Sequence, residues 1–251
     1  MYEVKIMYIY KLTLCYDGTR YRGWQRQGNT DNTIQARVER ALSQALGIEA
    51  ELAASGRTDA GVHARMQVCS FHAPFELDCA LALSRLRAAL PEDIGAVALD
   101  AAPPRFHARL NCREKTYVYR LWNSPAPNVF ERRYMYACPQ ALDVAAMRRA
   151  AEQLLGRHDF SAFCSNGRMK KSAVRTLKEL SIVKNGDELR FELTGDGFLY
   201  NMVRIIVGTL IEVGAGTRCA EELPDILAAK VRARAGFTAP AHGLTLWRVE
   251  Y

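Results

Sequence analysis

The sequence predicts a mixed α/β protein of the α+β type, because stretches with the period of a strand alternate with stretches of helical period along most of its 251 residues. A hairpin signal, Asn185-Gly186 between two alternating stretches, and helix starts at capping residues support the same class. Hydrophobic residues make up 49% and charged residues 24% of the chain, which is ordinary for a globular protein. A chain of this length can bury a large core, either as one domain or as two.

The first half of the chain contains four predicted strands and two predicted helices. Apolar and polar residues alternate over residues 8–16, as in a half-buried strand. The first helix begins at Asn32 or Thr33, whose side chains can cap it, and ends at Gly47, while Pro91 ends the second. The strands are predicted at residues 8–16, 50–53, 66–72 and 94–99, and the helices at residues 33–46 and 78–90.

Pro103-Pro104 marks a boundary, so we predict an N-terminal half at residues 1–104 and a C-terminal half at residues 105–251. The second half again mixes strands and helices, although no repeat is visible in the sequence. Its long first strand places Tyr117 and Tyr119 on one face. Strands are predicted at residues 113–122, 179–184, 188–194 and 244–251, and helices at residues 143–155, 199–213 and 221–229.

The basic residues predict a polyanionic partner. Lysine and arginine number 34 against 27 acidic residues, which gives a net charge of +7 and favours nucleic acid. Arg20, Arg22 and Arg26 flank Trp24, and cations mixed with aromatic rings suit phosphate contacts and base stacking. The alternative is a solvated loop anchored by one tryptophan. A second basic loop is predicted at residues 165–172.

Cysteine spacing and hydropathy indicate the compartment. None of the seven cysteines forms a C-x-x-C pair, so the sequence supports no zinc cage and no redox dithiol. Thiols in a reducing compartment fit this spacing better. There is no apolar run of about 18 residues and no secretory cleavage site near the start. We therefore expect a cytoplasmic protein without a membrane span, and Met7 is an alternative start to Met1.

Residues 54–64, with the sequence ASGRTDAGVHA, concentrate the residues that can carry chemistry. They combine Arg57, Asp59 and His63 with two glycines, which permit backbone conformations closed to other residues. An arginine two residues away favours the charged form of the Asp59 carboxyl group, which suits a nucleophile or a base better than an acid. The alternative is that Asp59 is a turn or capping residue that bonds local N–H groups.

The sequence GRTDAGVH at residues 56–63 resembles the signature of the TruA family, the tRNA pseudouridine synthase A type. The resemblance extends over residues 11–251, because further blocks follow in the family's order. They are YDG at 16–18 with GWQ at 23–25, FHAR at 106–109, the strand around Tyr117, GFLYNMVR at 197–204 with Gly208, and GL at 243–244. It implies the pseudouridine synthase fold, in which two similar halves with antiparallel sheets and helices flank a central basic cleft.

The resemblance also implies an activity and a site. Family members isomerise uridine to pseudouridine in tRNA, at positions 38, 39 and 40 of the anticodon stem-loop, as homodimers that need no cofactor and no metal. Asp59 matches the catalytic aspartate, which either adds to ribose C1′ or removes the 2′ proton. Tyr117 matches the tyrosine expected to stack on the flipped base, and Arg204 the arginine that pairs with the aspartate. Arg57 is expected to orient Asp59 or to hold a phosphate, so Tyr117, Arg57 and Arg204 are the predicted substrate-binding residues.

Several residues have alternative assignments. Tyr119 shares a face with Tyr117 and is an alternative stacking residue. The alternative for Tyr117 is an ordinary core tyrosine, and the alternative for Arg204 is a cation on a helix surface, which its apolar neighbours disfavour. His63, His107 and Arg109 are assigned either to phosphate contact or to support of the loop.

Two other function classes compete with the synthase. A non-catalytic tRNA-binding module would need the basic loops but neither Asp59 nor Arg204. A hydrolase would use Asp59 as a nucleophile on a small substrate, although the basic loops and the lack of a metal-ligand cluster argue against it. Release of tritium from C5 of uridine in tRNA, measured together with tRNA binding, distinguishes all three.

Overall fold

The computed structural model describes residues 7–167 and 172–251. Met1 as a start and part of the predicted basic loop at 165–172 therefore lie outside the described residues. The strands are β1 (Tyr8–Tyr16), β2 (Ala53–Ala54), β3 (His63–Ala73), β4 (Ile94–Ala102), β5 (Glu114–Trp122), β6 (Tyr136–Ala137), β7 (Gly156–Asp159), β8 (Val174–Asn185), β9 (Glu188–Gly195) and β10 (Leu244–Glu250). The helices are α1 (Ile34–Leu46), α2 (Cys79–Ala89), α3 (Val144–Glu152), α4 (Met202–Gly214) and α5 (Leu223–Ala229). This order confirms the mixed α/β class.

The first compact unit consists of the chain up to Arg113 together with Leu246–Tyr251. Strand β1 lies between β3 and β4 and is antiparallel to both, while β2 and β10 also lie beside β3. Helices α1 and α2 contact each other. The residues of this unit that are buried almost completely include Leu12, Leu14, Val38, Leu42, Phe71 and Leu86. These apolar positions come from both strands and helices, so each element contributes one face to a common core.

The ends of helix α1 confirm two sequence signals. Thr33 is the N-cap, and its hydroxyl accepts a hydrogen bond from the N–H of Ala36. Gly47 has a φ of 65° and donates its N–H to the Leu42 and Ser43 carbonyls, so it ends the helix in the left-handed conformation that glycine favours. Helix α1 therefore begins and ends where local chemistry predicts.

The second compact unit is Glu114–Thr245. Its strands lie in the order β5, β9, β8, β7 with antiparallel neighbours, and β6 pairs with β5 in parallel. The predicted hairpin is confirmed, because β8 and β9 join at Asn185 opposite Glu188, with Gly186 at a φ of 58°. Helix α4 packs against α3 and is buried around most of its circumference.

Two predicted elements begin later than expected, and each has a local cause. The strand predicted at residues 50–53 is wrong for its first three residues: the N–H of Leu52 donates to the Glu39 carboxylate (3.0 Å), and its carbonyl accepts from the Gln35 amide (3.4 Å). Side chains of α1 therefore occupy backbone groups that a strand partner would need. The helix predicted from residue 199 begins at Met202, because Asn201 has a φ of 61° and interrupts the helical conformation.

Two findings bear on earlier expectations. No helix in the described part of the chain has the length and hydropathy needed to cross a membrane. No disulfide joins the seven cysteines, all of which lie in the described residues. The boundary between two functional halves after residue 104 stays a prediction.

Candidate active site

The segment carrying Asp59, residues 55–62, connects β2 to β3 in the first unit. It is closed at its base by the N–H of Ser55, which donates to the Val68 carbonyl (2.7 Å). A turn at its far end brings the N–H of Val62 to the Asp59 carbonyl (3.1 Å). Asp59 is half-buried and Arg57 is exposed. The structure thus places these two residues on one short loop, which we call the catalytic loop after the role that the family resemblance implies for Asp59.

A buried polar network lies beneath the catalytic loop. The hydroxyls of Tyr16 and Thr58 are hydrogen-bonded at 2.8 Å, and the Ser55 hydroxyl donates to Gln67 Oε1 at 2.7 Å. Gln67 Nε2 in turn donates to the Gly56 carbonyl at 2.8 Å. Burial raises the pKa of Tyr16, so its phenol stays neutral and able to donate. Buried polar groups with partners on several sides fix one arrangement of the loop.

Gly23 and Trp24 support the catalytic loop from a second side. The N–H of Trp24 donates to the Thr58 carbonyl at 2.9 Å. Gly23 has a φ of 94°, and a β-carbon there would lie 2.9 Å from the Thr58 carbonyl oxygen and 3.2 Å from the carbonyl carbon of Asp59. Only glycine therefore fits between the two backbone segments.

The aromatic residues of the Arg20–Arg26 region belong to the core. Trp24 is 1% exposed, so the prediction that its ring takes part in base stacking is wrong. Its ring packs against Tyr16 with centroids 6.1 Å apart. The cations remain at the surface: Arg20 pairs with Asp93 and Arg26 with Glu39, whereas Arg22 is exposed without an acidic partner among the described residues.

The two histidines with open assignments, His63 and His107, make hydrogen bonds to nearby backbone and side chains. His63 is buried, and its Nδ1 lies 3.1 Å from both the Gly18 N–H and the Asp17 carboxylate. The neutral ring accepts from Gly18, whereas a protonated ring would donate to Asp17. His107 Nδ1 accepts from the N–H of Arg109 at 3.1 Å. These bonds favour support of the loops over phosphate contact for both histidines.

Tyr117 lies in the second unit, on β5 opposite Leu193. Its ring meets Phe198 edge to face, with centroids 5.1 Å apart at 82°. Tyr119 is completely buried and donates its hydroxyl to the Pro240 carbonyl at 2.9 Å. Burial raises the pKa of Tyr119, which keeps that hydroxyl protonated. Tyr119 has no exposed surface, which removes it as a platform for a base, whereas Tyr117 is also buried but keeps 7% of its surface exposed.

Arg204 lies in the first turn of α4, also in the second unit, and is half-buried. Its Nε donates to the Ala239 carbonyl at 2.7 Å, and its Nη1 donates to Asn201 Oδ1 at 2.9 Å. These two hydrogen bonds orient the guanidinium. The left-handed conformation of Asn201 accompanies the contact between its side chain and the arginine.

Sequence reasoning found Asp59 and Arg57 but missed the groups that hold them. Tyr16, Thr58 and Gly23 all lie within the sequence blocks that carry the family resemblance, although their role as a support becomes visible only when the strands are paired. Gln67 gave no sequence signal beyond a polar residue at a buried strand position. Such a residue is a usable signal, because a buried amide needs partners.

In residues 7–167 and 172–251, no group of three or more histidine, cysteine, aspartate or glutamate residues is arranged to hold a metal ion.

Comparison with known proteins identifies the family. A sequence model described as tRNA pseudouridine synthase matches residues 14–111 and 150–251. The chain is 44% identical to "tRNA pseudouridine synthase A 2" of Bacillus anthracis, over 96% of this chain and 99% of that protein. It is 47% identical to "tRNA pseudouridine synthase A" of Anoxybacillus flavithermus and 46% identical to the protein of that name from Moorella thermoacetica, in each case over 96% of this chain and 98% of the other. A solved structure, "Crystal Structure of a Cbf5-Nop10-Gar1 Complex", is similar over 80% of this chain and 45% of that chain, at 12% identity and a TM-score of 0.37. With the family model matching most of the chain and these relatives matching nearly all of it, the chain belongs to the tRNA pseudouridine synthase family, in its TruA branch.

Proposed function

We propose that this protein isomerises uridine to pseudouridine in tRNA, at positions 38, 39 and 40 of the anticodon stem-loop, and that Asp59 performs the chemistry. Family membership supports the reaction class. The observation that carries the role of Asp59 is its half-buried place on a loop in which Gly56 and Thr58 both bond to a buried polar network. A carboxylate held in this way is positioned before the substrate arrives.

The reaction explains why one carboxylate suffices. The bond between ribose C1′ and base N1 breaks, and a bond between C1′ and C5 forms. N1 gains a proton and C5 loses one, so atoms and electrons balance without an oxidant or a reductant. Asp59 acts either by adding to C1′ or by removing the ribose 2′ proton, and both roles require an ionised carboxylate.

The base has to leave the RNA stack before it can react, which costs a few kcal/mol. We assign the stacking surface for the flipped base to Tyr117. The edge-to-face contact with Phe198 supports this role, because it fixes the plane of the tyrosine ring. Removal of the Tyr117 ring is expected to weaken catalysis more than replacement by phenylalanine, which keeps the stacking face.

Two arginines complete the proposed site. Arg204 is assigned to pair with the Asp59 carboxylate and to keep it charged, and the hydrogen bonds to Ala239 and Asn201 that orient its guanidinium support this role. Arg57 is exposed and is assigned to a phosphate of the substrate or to orientation of Asp59. Arg22 is exposed on the neighbouring loop and is assigned to a further phosphate contact. We propose that the enzyme works as a homodimer in the cytoplasm, without a cofactor.

The proposal is tested by tritium release from tRNA that carries [5-³H]uridine. The wild-type protein is expected to release tritium, because C5 exchanges its hydrogen for the bond to C1′. Asp59→Asn is expected to bind tRNA with nearly unchanged affinity while release falls by at least about a thousandfold, since the carboxylate acts in the chemical step. Asp100→Asn is the matched control, because Asp100 is an exposed aspartate of β4 whose one ion pair among the described residues is with Lys11.

Each alternative has its own outcome. Tight tRNA binding by the wild-type protein without tritium release would support the non-catalytic binding module. Absence of tRNA binding at moderate salt would leave a hydrolase. Retention of release in Asp59→Asn would remove Asp59 from the chemistry even if the protein is a synthase.

A further inference from the structure

Residues 123–135 form a loop that the proposed mechanism does not use. They leave the end of β5 and return to β6, which pairs in parallel with Leu121 and Trp122 of β5. The two ends of the loop are therefore adjacent, and the loop has the closed form of an Ω-loop in the second unit. We call it the display loop.

The display loop is held in one conformation by hydrogen bonds along its length. At its base, the Asn123 amide donates to the carbonyls of Cys138 (2.9 Å) and Gln140 (2.7 Å). Trp122 Nε1 donates to the Ala126 carbonyl at 2.6 Å. Nearer the tip, Asn128 Oδ1 accepts from the N–H of Glu131 at 3.2 Å. A loop with this many internal bonds holds its side chains in defined directions, unlike a frayed segment.

The tip of the display loop points its apolar side chains into solvent. Phe130 is 92% exposed, more than any other large hydrophobic residue in the described chain, and Val129 beside it is 57% exposed. Single exposed apolar residues are common, but a phenylalanine exposed on a rigid tip contributes no burial to folding. It is available to contact something else.

The charge around Phe130 is positive. Glu131, the one acidic residue of the loop, is 2.7 Å from Arg120, which also pairs with Glu188. Arg132 and its neighbour Arg133 are exposed, and Arg132 Nη1 donates to the Val129 carbonyl, an uncharged acceptor. An aromatic face thus stands next to cations, as in surfaces that stack a base and contact the adjoining phosphates.

We propose that the display loop is a second RNA contact, in which Phe130 stacks on an accessible base of the tRNA other than the target uridine and Arg132 contacts a neighbouring phosphate. This inference rests on the proposed function, because it takes tRNA as the substrate. A second copy of the chain fits less well. A two-fold contact through the same tip would bring Arg132 of both copies together, and like charges would oppose it.

The test compares Phe130→Ala, Phe130→Leu and Phe130→Trp in binding and tritium release with full-length tRNA. Stacking predicts that the alanine and leucine variants raise Kd and KM by roughly 5- to 150-fold, while the tryptophan variant stays near the wild type. The value of kcat at saturating tRNA is expected to change less than twofold. Phe75→Ala is the control, because Phe75 is also an exposed phenylalanine (44%) and lies in the first unit.

The charged part of the contact has a separate readout. Arg132→Gln is expected to reduce the slope of log Kd against log salt concentration by about 1, as for the loss of one phosphate contact. Sedimentation of each variant reports whether the oligomeric state has changed.

Three results would overturn the inference. One is unchanged Kd and KM in Phe130→Ala. Another is tolerance of leucine, which would mean that an apolar contact without stacking is sufficient. The third is dissociation of an oligomer by Phe130→Ala, which would make the tip a protein interface. Absence of tritium release from the wild-type protein would instead contradict the proposed function, so the two failures are distinguishable.

Discussion

The contact between Gly23 and the catalytic loop gives the sharpest prediction, in the variant Gly23→Ala. The added β-carbon would lie 2.9 Å from the Thr58 carbonyl oxygen and 3.2 Å from both the Ala60 nitrogen and the Asp59 carbonyl carbon, where ordinary contact begins at 3.4 Å. The catalytic loop must therefore move by about 0.5 Å, unless Gly23 moves instead. Either shift would disturb the hydrogen bond that the N–H of Trp24, the next residue along the chain, donates to the Thr58 carbonyl.

The magnitude has two parts. An alanine at a φ of 94° costs about 1–2 kcal/mol in backbone strain, and the overlap adds about 1–2 kcal/mol. We expect the free energy of unfolding to fall by about 2–4 kcal/mol. Because a displacement of about 1 Å at a catalytic group can cost about a hundredfold in rate, half that displacement at Asp59 is expected to lower kcat by about tenfold.

The assays are urea unfolding and tritium release from [5-³H]uridine tRNA, made at a temperature where circular dichroism shows the variant folded. Gly28→Ala is the matched control, since a β-carbon at Gly28 meets no atom within 4 Å. It should change stability by less than about 0.5 kcal/mol and leave kcat unaltered. A folded Gly23→Ala enzyme with wild-type kcat would refute the idea that this glycine sets the position of Asp59.

Three further predictions concern support, docking and acid stability. Tyr16→Phe removes the hydroxyl bonded to Thr58, so calorimetry should record a loss of about 1–2 kcal/mol, and tritium release should show kcat falling more than KM rises; a change in KM alone would contradict a positioning role. Arg22→Gln should weaken tRNA binding and lower its salt slope by about 1; an unchanged slope in a salt titration would exclude a phosphate contact. The Ser161 hydroxyl, with a smaller contribution from Lys230, holds the pKa of Asp159 below its usual range. The stability advantage of wild type over Asp159→Asn, measured by urea unfolding at several pH values, should therefore be complete above about pH 5 and vanish as pH falls through the lowered pKa. An advantage that grows in acid would contradict this prediction.

Local chemistry made much of the fold predictable. Thr33 and Gly47 bound helix α1 through their own side chain or backbone freedom, and Asn185-Gly186 specifies a hairpin without help from distant residues. Asp143 likewise caps α3 by accepting from the N–H of Ala146. In each case the deciding interaction spans only a few residues, which a sequence displays directly.

Long-range partners account for what was missed. Leu52 lies outside β2 because its backbone bonds side chains of α1, 13 and 17 positions earlier in the chain. Trp24 sits among charged residues in the sequence, yet its ring packs against Tyr16 in the core. Its burial depends on how the first strand and the loop after it are folded together, and no local pattern encodes that.

In the candidate site, too, local signals were predictable and long-range contacts were not. The residue types at Arg57 and Asp59 point to chemistry by themselves, and their loop is where the sequence indicates. The fixing of Arg204 by Asn201 and Ala239 depends on a left-handed residue and on a segment 35 positions away. Both features are set by tertiary structure.

Strand β10 completes the first unit although it is made after the second unit during synthesis. Leu246–Tyr251 belong to that unit, where the Tyr251 hydroxyl donates to the Ala108 carbonyl at 2.8 Å and the N–H of Arg113 donates to the Glu250 carbonyl at 2.8 Å. The ribosome makes these residues only after all of Glu114–Thr245 has been translated. The first unit therefore leaves the exit tunnel early, but part of one edge of β3 stays unpaired until β10 emerges. Closing a loop of that length makes the sealing of this unit a late event in folding.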